Sequence, residues 1–232
     1  MKPADVIPST AEMTGAFITF EGIDGCGKST QLRLLANEIH RRGIKVVSTR
    51  EPGGTTLGKR LRAALLDVEE QVDPLAELLV FAADRAHHVR TLLLPALKAG
   101  EIVLSDRYAD ATVAYQGAGR GFEPTLIQEI VQLATGGLTP NLTLLFDLSV
   151  AESGVRTRRR VAAKNTDRLD IEDAAFHTRV RNAYLEIAKA HTERIRVIDA
   201  RGSAQQTHQA VIDIVMPFLE ERGMLEAVSG NR

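Results

Sequence analysis

Short apolar runs alternate along the chain with longer amphipathic stretches. The runs fall at 16–20, 45–49, 101–105, 141–147 and 195–199 and read as β-strands. Most are continuously apolar and not strictly alternating, as expected of parallel strands covered on both faces. Helical patterns lie between them, at 28–42, 57–66, from 74 towards 98, and at 124–134, 151–161, 174–190 and 204–222. Gly43 closes the first. Asp73 caps the long one, Pro74 suits its first position, and Gly100 suits its stop. Strand–helix alternation predicts right-handed crossovers and a doubly wound, five-stranded parallel α/β sheet. In such a sheet ligands gather at the carboxyl ends of the strands.

The segment after the first strand reads Gly22-Ile23-Asp24-Gly25-Cys26-Gly27-Lys28-Ser29. It matches G-x-x-x-x-G-K-[ST], in which backbone N–H groups turn inward around phosphates. Strand, glycine turn and helix start follow in the order of an anion site. Residues Gly22 to Thr30 are therefore expected to bind ATP. Lys28 would reach the outer phosphates, and the Ser29 hydroxyl would ligand Mg²⁺.

Other strand ends carry charge beside glycine or aromatic residues. Asp106 closes the third strand, where P-loop enzymes hold Mg²⁺ or its waters, and Arg107 beside it could clamp a phosphate. A plain Asp–Arg cap of the next loop is the alternative. Arg50-Glu51-Pro52-Gly53-Gly54 follows the second strand, and Arg50 reads as a ligand of an acceptor phosphate once the P-loop is beside it. Phe81 and Arg85 share one helix face. They could stack a nucleobase and bond its edge, although Phe81 alone would more often be core. His87 and His88 have no further ligand at metal-like spacing and read as surface residues.

Composition sets limits. Formal charge is −1 and charged residues make up 25%, which argues against a general nucleic-acid binder. Positive charge is instead local, in Arg156, Arg158, Arg159, Arg160, Lys164 and Arg168. This stretch is either a solvated or nucleic-acid-facing surface or a basic flap that closes over a nucleotide. The single cysteine, Cys26, excludes an internal disulfide. Its position suggests a small tolerated side chain rather than a redox group. No apolar run approaches the roughly 18 residues of a membrane span, and the N-terminal stretch has no signal-peptide pattern. The cytoplasm is the expected compartment. The expected organisation is a leader at 1–15, one P-loop kinase domain at 16–222 with a small helical lid at about 152–172, and a loose tail at 223–232.

Several motifs together resemble the bacterial thymidylate kinases. They are Phe20-Glu21-Gly22-Ile23-Asp24-Gly25, Thr49-Arg50-Glu51-Pro52-Gly53-Gly54-Thr55, Leu79-Val80-Phe81-Ala82-Ala83-Asp84-Arg85 and Asp106-Arg107-Tyr108. Ala114-Tyr115-Gln116-Gly117-Ala118-Gly119-Arg120-Gly121 and Asp167-Arg168-Leu169 follow in the family's order. The resemblance implies phosphoryl transfer from ATP to thymidine monophosphate with Mg²⁺, in a homodimer. It implies that Phe81 stacks thymine, Arg85 bonds its edge, and Thr112 contacts the base. Tyr115 would pack beneath the deoxyribose with Gln116 beside it, and Arg50 and Arg107 would grip the acceptor phosphate. Asp24 would contact the sugar or the Mg²⁺ shell, and Asp106 would hold Mg²⁺ through water with Ser29. Ala111 stands where many relatives have serine. None of Ile23, Asp24, Gly25 and Cys26 is cationic, so the catalytic arginine is expected from Arg156, Arg158, Arg159 or Arg160 in the lid. A kinase of another deoxynucleotide or nucleoside, or a silent nucleotide-binding module, is the alternative. A guanine-reading switch is disfavoured by the absence of Asn-Lys-x-Asp.

Overall fold

The computed structural model describes residues 13–66, 71–161 and 172–225, without the side chains of 159–161. Five parallel strands run in the order β2-β3-β1-β4-β5. They are β1 (Ala16–Glu21), β2 (Val46–Arg50), β3 (Ile102–Asp106), β4 (Leu142–Asp147) and β5 (Ile195–Asp199). Each lies within about a residue of its sequence expectation, the usual uncertainty of an element end.

β1 is central, and every residue of it is buried. Its side chains divide by strand parity. Ile18 and Phe20 pack with Leu35 and Ile39 of α1 (Lys28–Arg41) and with Val211, Val215 and Leu219 of α9 (Ala204–Glu221). Phe17 faces the other way, towards Val103, Leu93 and Leu97. Thr19 and the terminal Glu21 are the polar residues of this sandwiched strand, and the Thr19 hydroxyl meets that of Thr143 on β4 at 2.8 Å. An unpaired hydroxyl there would carry its full desolvation cost.

Asp73 caps α3 (Pro74–His88) as expected, accepting from the Leu75 and Ala76 amides. The long helix expected from 74 towards 98 is a continuous helical run that ends at Lys98. It widens into a π turn over Val89–Leu93 before α4 (Leu94–Lys98). Pro95 has no N–H, so the carbonyl four residues back lacks its helical donor there. α2 (Thr56–Leu66), α6 (Pro124–Thr135), α7 (Val150–Val161) and α8 (Ala174–Ala190) match the reading closely. The sequence pattern gave no warning of α5 (Ala109–Thr112) and the π-helical Val113–Gly119 that continues it.

The leader expected at 1–15 is already packed at its end. Met13 is buried beside Phe17, and the Gly15 amide donates to the Leu97 carbonyl. At the other end, Met224 and Leu225 pack on the core formed by α1 and α9.

Candidate active site

Register brings the charged strand ends to one level. Phe20 and Arg50 both pair with Asp106, so the loops after β1, β2 and β3 leave the sheet side by side. The first of them is the glycine loop. Gly22 has φ 134°, and a Cβ there would come within 2.5 Å of the Phe146 carbonyl oxygen on β4, so no side chain fits. Gly27, at φ 100°, precedes α1 without a side-chain cap, leaving first-turn amides directed outward. Lys28 folds across the loop and donates to the carbonyls of Gly22 (2.8 Å) and Ile23 (2.9 Å). The Ser29 hydroxyl donates to Asp106 in a short hydrogen bond. Hydroxyl and carboxylate thus converge, a donor set that suits Mg²⁺ shared with phosphate oxygens.

Arg107 and Asp24 face each other across this junction. Nη2 of Arg107 is 2.9 Å from both Asp24 oxygens and 2.8 Å from the Tyr115 hydroxyl, and Nη1 is 3.3 Å from the Tyr184 hydroxyl. Burial works against the guanidinium charge, but Asp24 outweighs it, and the pKa stays well above its ordinary value. Arg107 is the only non-glycine residue with positive φ (73°) among those described. Tyr115 also donates to Asp24, and its ring lies between Phe176 and Tyr184, edge-on to each.

Phe81 and Arg85 lie one turn apart on α3. Phe81 packs with Leu65 and Leu66 at the site wall. Arg85 is almost wholly buried. Its Nε donates to Glu51 (2.7 Å), Nη1 to the Thr112 hydroxyl (2.7 Å) and Nη2 to the Tyr108 carbonyl (2.8 Å). Three partners, from the loop after β2, the residue before α5 and the end of α5, fix the plane of this fork. Gln116 is held by Glu77, which also pairs with Arg120. Arg50 stands exposed at the end of β2.

Several participants were not read from the sequence. Glu51 is buried and joins Arg85 to His88, whose Nδ1 is 2.7 Å from it and whose Nε2 is 2.7 Å from the Thr49 hydroxyl. Desolvation alone would raise the Glu51 pKa, yet Arg85 and His88 together hold it below the ordinary carboxylate range. His88 is therefore no surface residue: it is fully buried, because Glu51 and Thr49 satisfy both ring nitrogens. Glu21 ends β1, just before the glycine loop. It is fully buried, accepts from the Tyr108 amide and the Tyr184 hydroxyl, and is pushed up to about 7 by burial and by nearby Asp110. A carboxylate ending an apolar strand was the available signal.

α7, the root of the expected lid, rests on the glycine loop. The Ser153 hydroxyl donates to the Asp24 carbonyl, and a Cβ on Gly25 would meet Thr157 Oγ1 at 2.9 Å and the Cβ of Arg156 at 3.4 Å. Arg156 is half-buried, with Nη2 3.4 Å from the Arg201 carbonyl, whereas Arg158 is exposed. The side chains of Arg159 and Arg160, and all of Lys164 and Arg168, lie outside the described residues.

Comparison with known proteins identifies one family. A family model described as thymidylate kinase matches residues 20–211. A thymidylate kinase of Citrifermentans bemidjiense is 47% identical over 213 residues, spanning 90% of this chain and 95% of the relative. One of Clavibacter sepedonicus is 50% identical over 188 residues, spanning 81% and 88%. The crystal structure of thymidylate kinase from Ehrlichia chaffeensis matches with a TM-score of 0.72 at 35% identity, covering 87% of this chain and 98% of that one. The motifs spread over the three strand ends thus have relatives along nearly the whole chain, and the protein belongs to the thymidylate kinase family.

Proposed function

We infer that this protein transfers the γ-phosphoryl group of ATP to thymidine monophosphate, giving ADP and thymidine diphosphate. The observation that carries the reading is the single junction where the glycine loop, Asp106 and Arg107 meet, with Phe81 and Arg85 set apart on α3. A donor-phosphate cradle then has an acceptor-phosphate clamp and a base pocket on one side.

In this reading the amides of Gly22 to Thr30 cradle the ATP phosphates, and Lys28 exchanges its loop carbonyls for phosphate oxygens. Ser29 and Asp106 would hold Mg²⁺, which supplies charge neutralisation between the outer phosphates. Arg107 and Arg50 grip the acceptor phosphate. Asp24 orients Arg107 and lies towards the sugar. Phe81 stacks the base, and Arg85, with Thr112 beside it, addresses its edge. Tyr115, with Gln116 next to it, fills the space a ribose 2′-hydroxyl would need. The seat of Arg156 beside Gly25 supports a lid arginine, from among Arg156, Arg158, Arg159 and Arg160, as the group that neutralises transferring charge.

Leu75 and Leu79 on α3 and Leu126 and Leu133 on α6 are exposed apolar residues on neighbouring helices, which supports a homodimer. Among the described residues no helix is long and apolar enough to cross a membrane. The use of ATP as donor supports a cytoplasmic enzyme, organised as one domain over about residues 16–222.

The test is ADP release, measured by a coupled assay across nucleoside monophosphates and nucleosides. Thymidine monophosphate is expected to be turned over best and uridine monophosphate poorly. Equal turnover of thymidine, cytidine and adenosine monophosphates would overturn the specificity.

A further inference from the structure

Glu21 lies at the centre of the site, yet it touches none of the groups expected to meet a substrate except through two intermediaries. Its Oε1 accepts the Tyr108 amide at 2.7 Å, and its Oε2 accepts the Tyr184 hydroxyl at 2.7 Å. Both intermediaries flank Arg107. The Arg107 amide donates to the carbonyl of Phe20 at 3.0 Å, and the next amide donates to Glu21. Consecutive residues of β1 therefore hold the amides on both sides of the one left-handed non-glycine residue described. At the far end of the same side chain, the Tyr184 oxygen lies 3.3 Å from Nη1 of Arg107 while its proton goes to Glu21.

We propose that Glu21 is a positioning residue for Arg107, fixing its backbone through the Tyr108 amide and its guanidinium through the Tyr184 hydroxyl. The proposal rests on the reading of Arg107 as a ligand of the acceptor phosphate. The charged groups around Glu21 are Arg85 on α3, Arg107 itself, Asp110 on α5 and Arg194 before β5. None of them shares its two hydrogen bonds. A carboxylate accepts at both oxygens, which the arrangement requires. A carboxamide accepts at one only, and its NH₂ would turn the Tyr184 hydroxyl round, so that its proton and not a lone pair faces Arg107.

The test is isothermal titration of thymidine monophosphate, thymidine and ATP against the wild-type chain, Glu21→Gln, Tyr184→Phe, Arg107→Ala and the Tyr184→Phe/Arg107→Ala double variant. Thymidine lacks the phosphate and so reports the pocket without the clamp. Glu21→Gln and Tyr184→Phe are expected to weaken thymidine monophosphate about tenfold, the scale of a misplaced hydrogen bond to a charged group. Thymidine and ATP should stay within about twofold, and Tyr184→Phe should add nothing once Arg107 is alanine. If Arg107→Ala keeps the wild-type preference for the monophosphate over thymidine, the reading of Arg107 falls and this proposal with it. If Arg107→Ala abolishes that preference while Glu21→Gln and Tyr184→Phe retain it, the positioning role alone is overturned. Parallel loss of thymidine and its monophosphate also overturns it, since that marks a general structural role. Should Glu21→Gln not fold, Tyr184→Phe, which removes a single hydroxyl, decides the matter.

Discussion

The carboxylate of Glu51 lies 2.7 Å from Nε of Arg85, and the two side chains are only 3% and 4% exposed. Removing one member of such a pair leaves the other charge buried without compensation. Glu51→Ala is expected to destabilise the fold by about 3–5 kcal/mol and to weaken thymidine monophosphate, because Arg85 and His88 lose a shared partner. Urea unfolding at neutral pH measures the first effect and titration calorimetry the second. A loss of less than about 1 kcal/mol would show that the pair behaves like an exposed ion pair.

Asp84 gives a pH dependence of definite sign. Its Oδ1 takes a long contact from the Gly53 amide (3.4 Å), and its Oδ2 has no partner among the described residues. Burial, with Glu51 adding to it, raises its pKa from 3.8 to about 6. The folded chain therefore holds this proton more tightly than the unfolded one. The resulting stability is complete below about pH 4 and is lost as pH rises to about 6. Asp84→Asn should remove this component, so that the variant gains on the wild type by up to about 3 kcal/mol between pH 4 and 7. Urea midpoints taken across that range check it, and a gain by the wild type instead would refute it.

Phe81 has two roles to separate, as a wall of the small cluster with Leu65 and Leu66 and as the proposed platform for a base. Phe81→Leu keeps most of the volume and removes the aromatic plane. Thymidine monophosphate should bind about 1–3 kcal/mol more weakly, with little change in melting temperature or ATP affinity. Unchanged binding in a folded variant would assign Phe81 to packing alone.

Two of the lid arginines differ in where they sit. Arg156 is seated against Gly25, whereas the Arg158 guanidinium lies back along its own helix near Gly154. Arg156→Ala should lower turnover by on the order of 10³, within the range of arginines that stabilise phosphoryl transfer, and leave acceptor affinity unchanged. Arg158→Ala should do less. Steady-state rates with both substrates saturating compare the two, and a larger loss for Arg158→Ala would reverse the assignment.

The glycine loop, the charged residues at the strand ends and the Phe81–Arg85 face were legible because each depends on neighbours in sequence. What was not legible depends on distant ones. Glu51 takes its meaning from Arg85 and His88, 34 and 37 positions away, and Tyr184 from Glu21, 163 positions away. His88 looked like a polar surface residue until the loop after β2 supplied an acid to cover it. The helical stretch after Tyr108 is held by Phe176 and Tyr184 packing on Tyr115, and its own sequence carries no long amphipathic repeat. The π turn inside the long helix was hidden for a different reason. A continuous apolar face concealed Pro95, whose missing amide interrupts the hydrogen bonding without disturbing the pattern.

The central place of β1 has a consequence during synthesis. Among the five strands this one is made first, yet it does not pair with its successor in sequence. Its partners are β3 and β4, and Asn141, which receives the Phe17 amide, follows it by 124 residues. At roughly 5–20 residues per second, that separation keeps one edge of β1 open on the ribosome for about 6–25 s. α1 emerges early and can shield one apolar face, but the edge itself stays an unpaired row of amides and carbonyls beside phenylalanines and isoleucine. The nascent chain is therefore most prone to aggregate before β4 is complete, and its yield depends on how fast the second half of the sheet arrives.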